Sequence, residues 1–217
     1  MIINPYAFGG GGGGGTTAQS LLHFEGTNGS TTFIDESGKS WPATGPTIST
    51  ARSRAGSASG LFNGTHYITC TGGTDFAFGT GDFCVNLSVY FSSLATAILV
   101  DNRFGSYNKE FVLYYDGTDS KLKFFANGAD RIAATGLSAS TWYDLEVERT
   151  SGVTKFFVNG TKQGSDYADT NDYQTSQIML GKHYGAPLGL TGNIDEFRLI
   201  KGTGGHTSNY TPTFPLT

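Results

Sequence analysis

The segment Phe83–Phe91, FCVNLSVYF, alternates Phe83, Val85, Leu87, Val89 and Phe91 with Cys84, Asn86, Ser88 and Tyr90. A period of two sends the two sets to opposite faces of a strand, so the segment reads as a β-strand with one face in a core. Runs of the same character recur along the chain: SLLHFEG, GLFNGTHYITC, AILVDNR, EFVLYYDG, KLKFFANG, WYDLEVERT, TKFFVNGTKQG, QIMLGKH and NIDEFRLIKG. No sustained helical period competes with them. Between the runs, DGTDS, ANGAD and VNGT carry Asp-Gly or Asn-Gly pairs, whose tolerance of positive φ suits tight hairpins. An antiparallel meander follows for the middle of the chain. About ten strands are more than one open sheet holds comfortably, which predicts an all-β, two-sheet antiparallel jelly-roll sandwich.

The 217 residues suit one globular domain, assigned to residues 19–217. Residues 1–18 read differently. Seven consecutive glycines, Gly9 to Gly15, tether the apolar octapeptide MIINPYAF, which predicts a flexible Gly-rich N-terminal arm. Ile2, Ile3, Tyr6 and Phe8 would gain free energy only by entering a groove on another subunit, so they are the candidate partner-binding residues of that arm.

The net charge of −4, with no run of basic residues, excludes an electrostatic footprint for nucleic acid or an anionic membrane. No stretch approaches the roughly 20 apolar residues of a membrane span. The octapeptide has no Lys or Arg ahead of its apolar residues and contains Pro5, which argues against a secretory signal. Cys70 and Cys84 read as free thiols, because a disulfide-dependent domain usually carries more cysteines. Five Asn-x-Ser/Thr sequons occur, but three are Asn-Gly and read as hairpin turns.

In WYDLEVERT, period two places Asp144, Glu146 and Glu148 on one face, at a spacing of roughly 7 Å between neighbours that a glycosidase pair could use. The competing reading is a charge ladder on a solvent-facing sheet, with Lys121 and Lys123 of KLKFF on one neighbouring strand and Lys155 on the other. The ladder is preferred, and no catalytic residue is assigned. His23, His66, His183 and His206 lack the short spacings of a zinc site. No Gly-x-Ser-x-Gly elbow and no phosphate loop occur. The loop KHYGAPLG makes His183 and Tyr184 candidates for holding a glycan by stacking and hydrogen bonds.

The blocks LLHFEGTNGSTTFIDESGKSW, ARSRAGSASGLFNGTHYIT, DFAFGTGDFCVNLSVYF, STWYDLEVERTSGVTKFFVNGTKQG and LTGNIDEFRLIKGTGGHTSNYTPTFPLT cover about residues 19 to 217. Together they resemble the laminin G-like domains of the concanavalin A-like lectin and glucanase superfamily, in the version found in bacteriophage virion proteins. The resemblance implies a jelly roll whose first and last strands lie side by side. It also implies a structural calcium where they meet, with Glu25, Asp195 and a carbonyl near Gly60 as candidate ligands. The superfamily's glycosidases carry Glu-x-Asp-x-x-Glu, from which Asp144-x-Glu146-x-Glu148 departs, so a non-enzyme is expected.

The resemblance and the arm together imply a structural virion protein, a capsid decoration or tail component assembled in the host cytoplasm. It would dock on other virion proteins through its arm, as a homo-oligomer. The alternative is a host-glycan-binding adhesion module, with a polysaccharide-cleaving enzyme behind it.

Overall fold

The alternating runs become strands in the computed structural model, which describes residues 18–103 and 110–217. In chain order these are β1 (Ser20–Leu22), β2 (Ala43–Thr44), β3 (Thr47–Ser49), β4 (Ser59–Asn63), β5 (Tyr67–Thr71), β6 (Phe83–Phe91), β7 (Ala97–Asp101) and β8 (Phe111–Asp116). They continue as β9 (Lys121–Ala126), β10 (Ala129–Ala134), β11 (Thr141–Thr150), β12 (Val153–Val158), β13 (Thr161–Ala168), β14 (Gln177–Leu180) and β15 (Thr191–Lys201). A single 3-10 turn at Gly73–Asp75 is the helical content among the described residues.

The strands form two antiparallel sheets. The larger runs β13-β12-β11-β6-β15-β4-β3, with β1 also on β15, and the smaller runs β10-β9-β8-β7-β14-β5-β2. The first and last strands are neighbours, Ser20 opposite Leu199 and Leu22 opposite Phe197. The predicted hairpins form. β9 and β10 turn at Asn127 and Gly128, and β12 and β13 at Asn159 and Gly160, all four residues with positive φ. Consecutive positive φ values give the turn a twist that matches the strands it joins.

The core lies between the sheets. The odd-numbered positions of Phe83–Phe91 face it, as do Phe111, Leu113 and Tyr115 of β8, Leu122, Phe124 and Ala126 of β9, and Leu145 and Val147 of β11. At one end Phe83 stacks on Phe78 at 4.5 Å and on Phe111 at 6.0 Å between ring centroids, with Tyr173 edge-on at 5.6 Å. Arg149 closes this end with no exposed surface, donating to the carbonyls of Gly79, Gly81 and Asn171 and lying over the Phe83 and Tyr173 rings.

Two sequence expectations are corrected. KLKFF does not neighbour WYDLEVERT: β9 belongs to the smaller sheet and β11 to the larger, so Lys121 and Lys123 stand across the core from the three acids. The face carrying those acids is also covered. Residues 203–217 lack strand structure and lie along it as a strap. Both cysteines are free and buried: Cys70 is in the core, and Cys84 is on the far face of the other sheet, beneath the strap.

Candidate functional site

Because half of each strand's residues face the core, the other half make two outer faces, and each holds a cavity. On the larger sheet the outward residues of β6, β11 and β15 are polar. Asp144 accepts from Arg54 Nε (2.8 Å) and Nη2 (2.7 Å) and from Ser88 Oγ (2.8 Å). Glu146 accepts from Asn86 Nδ2 and the His206 backbone N–H, both at 2.7 Å, and its carboxylate is 3.0 Å from His206 Nδ1. Glu148 pairs with Lys155 at 3.3 Å, as the ladder reading expects.

The strap holds to this face by those contacts and by others. His206 stacks on Tyr210 at 3.5 Å, Tyr210 meets Phe157 edge-on, Leu216 N–H donates to Glu196 (2.6 Å), and Arg198 donates to the Thr217 carbonyl (2.6 Å). Gly205 permits the close approach, since a Cβ there would lie 2.5 Å from Glu146 Oε1 and 2.7 Å from Cys84 Sγ. A cavity of about 250 Å³ is left between strap and sheet. The three acids are thus brought together on one face, each engaged by a neighbouring donor.

Glu25 and Asp195 both reach the loop of residues 54–58. Glu25 Oε1 accepts from Ser57 N–H (2.8 Å) and Ala58 N–H (3.2 Å), and Oε2 from Ser57 Oγ (2.6 Å). Asp195 Oδ2 accepts from Arg54 N–H (2.7 Å) and Ala55 N–H (3.1 Å), and Oδ1 from Glu196 N–H (2.9 Å). Burial pushes the Asp195 carboxyl up to about 8, against the pull of those N–H groups. A calcium ion needs six to eight oxygen ligands, whereas this loop presents mainly N–H hydrogens to the two acids, so the residues as arranged do not fit the ion. Among the described residues no cluster of three or more His, Cys, Asp or Glu side chains is placed to hold a metal.

The smaller sheet's outer face holds the second cavity, with Ile98 and Val112 buried in its floor. Ile98 of β7, Val112 and Tyr114 of β8 and Phe125 of β9 point away from the core, and with Thr96, Arg103, His183 and Leu188 they line a groove of about 220 Å³. One buried carboxylate organises a wall of it: Asp101 accepts from Arg103 N–H (2.9 Å), Nε (2.9 Å) and Nη2 (3.0 Å), and from Tyr184 N–H (3.0 Å). The His183 loop is braced further by His183 N–H to the Leu188 carbonyl (3.1 Å) and Gly185 N–H to His183 Nδ1 (2.7 Å).

Of the sequence candidates, His183 lines this groove. Tyr184 stands 54% exposed on the same loop, outside the lining. Ile2, Ile3, Tyr6 and Phe8 lie outside the described residues. Sequence reasoning missed Arg103, Tyr114 and Phe125. The available signal was parity: in EFVLYYDG and KLKFFANG aromatics occupy both faces of the strand, and one set must face out.

A laminin G-type family profile, described as the concanavalin A-like lectin/glucanases superfamily, matches residues 62–203. The chain belongs to that superfamily. No curated protein matches it. Among solved structures, one of similar arrangement is domain 4 of AbnA, an extracellular arabinanase from Geobacillus stearothermophilus, in complex with arabinotriose. The TM-score is 0.66 at 20% identity, over 88% of this chain and 95% of that one. Trypanosoma rangeli sialidase gives a TM-score of 0.65 at 12% identity over 86% of this chain, which spans only 31% of the enzyme. The receptor binding domain of botulinum neurotoxin type G gives 0.62 at 13% identity, over 88% of this chain and 49% of that domain. These likenesses establish a lectin-like sandwich as the fold of this superfamily member.

Proposed function

We propose that the protein is a non-enzymatic carbohydrate-binding module, displayed from a virion by its N-terminal arm, and that a sugar sits in the groove of the smaller sheet. The observation that carries this reading is the groove. Its walls are mostly apolar and include the rings of Tyr114 and Phe125, with His183, Arg103 and Thr96 as its few polar groups. Sugar sites combine these features, because a sugar ring offers a C–H face to aromatic carbon and a rim of hydroxyls to a few placed donors and acceptors. The arabinotriose complex of the AbnA domain supports a sugar as the ligand class for a sandwich of this shape. The absence of Glu-x-Asp-x-x-Glu on β11, and the engagement of Asp144, Glu146 and Glu148 by their own neighbours, support binding without cleavage.

Binding of the full chain to a glycan array, compared with Tyr114→Ala, tests the site. Signal that falls with the variant supports it, and signal that the variant leaves unchanged overturns it. The virion half rests on the resemblance and on the apolar octapeptide with its heptaglycine tether, and it implies a homo-oligomer assembled in the host cytoplasm. Particle binding by the full chain and by a chain lacking residues 1–17 tests that half. Equal binding by both would remove the arm's role as anchor.

A further inference from the structure

The charges around the groove carry the reading of a sugar site one step further. Among the described residues of the lining, Arg103 is the permanently charged one. It is held by two guanidinium bonds to Asp101, a residue with no exposed surface. An anionic sugar that drew Arg103 toward itself would leave that carboxylate buried with its ion pair broken, a strongly unfavourable exchange. A bidentate pair is also rigid, so the guanidinium is a fixed neutralised dipole.

Beside Tyr114, the next cation is Lys123, whose Nζ lies 2.8 Å from Asp116, 2.9 Å from Asp119 and 3.2 Å from Asp130. Tyr114 itself donates to Asp130 at 2.8 Å. Lys121 approaches Asp119 at 3.5 Å. Among the described residues, two cations, Lys121 and Lys123, therefore face three carboxylates, Asp116, Asp119 and Asp130, at this end of the sheet, while Arg103 faces Asp101 at the other. Elsewhere on this sheet Arg131 donates to the carbonyls of Ala126 and Asn127, and Lys182 lies over the Tyr67 ring. His183 adds no charge: burial and the nearby Arg103 hold its imidazole below the ordinary value, leaving it neutral at neutral pH. Its Nδ1 accepts from Gly185 N–H, which leaves Nε2 as the protonated nitrogen, a neutral donor suited to a hydroxyl.

We infer that the groove takes an uncharged sugar, a neutral hexose, pentose or N-acetylhexosamine, and turns away uronic and sialic acids. This rests on the proposal that the groove is a sugar site. Specificity here comes from a repulsive rim and a closed ion pair as much as from attraction.

The test is binding of the full chain to immobilised neutral oligosaccharides in one arm and to sialylated and polyuronate glycans in the other. The expected result is a preference for the neutral arm of about tenfold or more. Raising the salt should leave the neutral signal nearly constant, since no ion pair to the ligand is made. The double variant Asp116→Asn with Asp119→Asn should narrow the preference by raising anionic binding while leaving neutral binding in place. Binding confined to anionic glycans, lost in Tyr114→Ala, would overturn this inference and keep the groove as the sugar site. Binding to neither arm would overturn the sugar site itself.

Discussion

Arg149 shows how one side chain can join distant parts of this fold. Its guanidinium reaches the carbonyls of Gly79 and Gly81 before β6 and of Asn171 before β14, and it lies 3.7 Å from Asp169. Asp169 is in turn held by Thr154 (2.7 Å) and Tyr173 (2.9 Å). Replacing Arg149 with Met keeps much of the volume but leaves those carbonyls without their donor and the buried Asp169 carboxylate without its neighbouring positive charge. Arg149→Met is expected to destabilise the protein by about 3–5 kcal/mol, read by urea unfolding. His23 carries a pH-dependent contribution. Its hydrogen bond to Glu196, 2.8 Å from Nδ1, holds the imidazole above the ordinary value despite burial. The folded protein therefore binds that proton more tightly than the unfolded chain. The stabilisation is complete below the unfolded value of about 6.5 and is lost as the pH rises through the higher folded value. His23→Gln should remove that part of the slope from a plot of melting temperature against pH, and an unchanged slope would show that the pair contributes nothing.

Among the elements, the hairpin turns and the strap can be separated by a matched pair of substitutions. Gly152 and Gly160 both sit in two-residue turns with φ of +75° and +73°. A Cβ at Gly152 meets nothing nearer than 3.8 Å, whereas one at Gly160 would lie 2.0 Å from the Tyr210 carbonyl of the strap. Gly152→Ala is expected to cost the turn strain alone, about 1–2 kcal/mol. Gly160→Ala should cost more and should also loosen the strap, seen as faster amide exchange at Tyr210, whose N–H bonds the Gly160 carbonyl. These elements were not equally legible in the sequence. Phe83–Phe91 and the Asn-Gly turns are local signals, so strand, face and hairpin could be read directly. Which sheet β9 joins depends on pairing between strands far apart in the chain, which periodicity does not encode, and Lys123 was accordingly matched to the wrong acids. The strap has no period at all, so its cover over Glu146 left no trace. His183 was found through its loop composition. Tyr114 and Phe125 were hidden because an outward aromatic on a strand looks like one more core residue until the sheets are assigned.

At the scale of the whole molecule, one core joins the two sheets, and the thiols report on it from opposite sides. Burial pushes the Cys70 thiol up to about 11 and raises that of Cys84 well above its ordinary value, so neither forms thiolate readily. Neither should react with a thiol reagent in the native protein, and both should react in denaturant. Removing residues 203–217 should release Cys84 alone, because Cys70 is shielded by both sheets and Cys84 by the strap. Reaction at both sites after that truncation would mean that the strap is needed to hold the sandwich together.

The pairing of β1 with β15 also sets a direction. Leu21 lies opposite Arg198, and the Arg198 side chain donates to the Thr217 carbonyl, so the described chain begins and finishes beside one strand of the larger sheet. The groove opens on the other sheet, across the full thickness of the core. Anything fastened close to Ser20 or to Thr217, whether a particle, a bead or a neighbouring domain, would therefore stand behind the molecule, leaving the groove pointing forward into the medium.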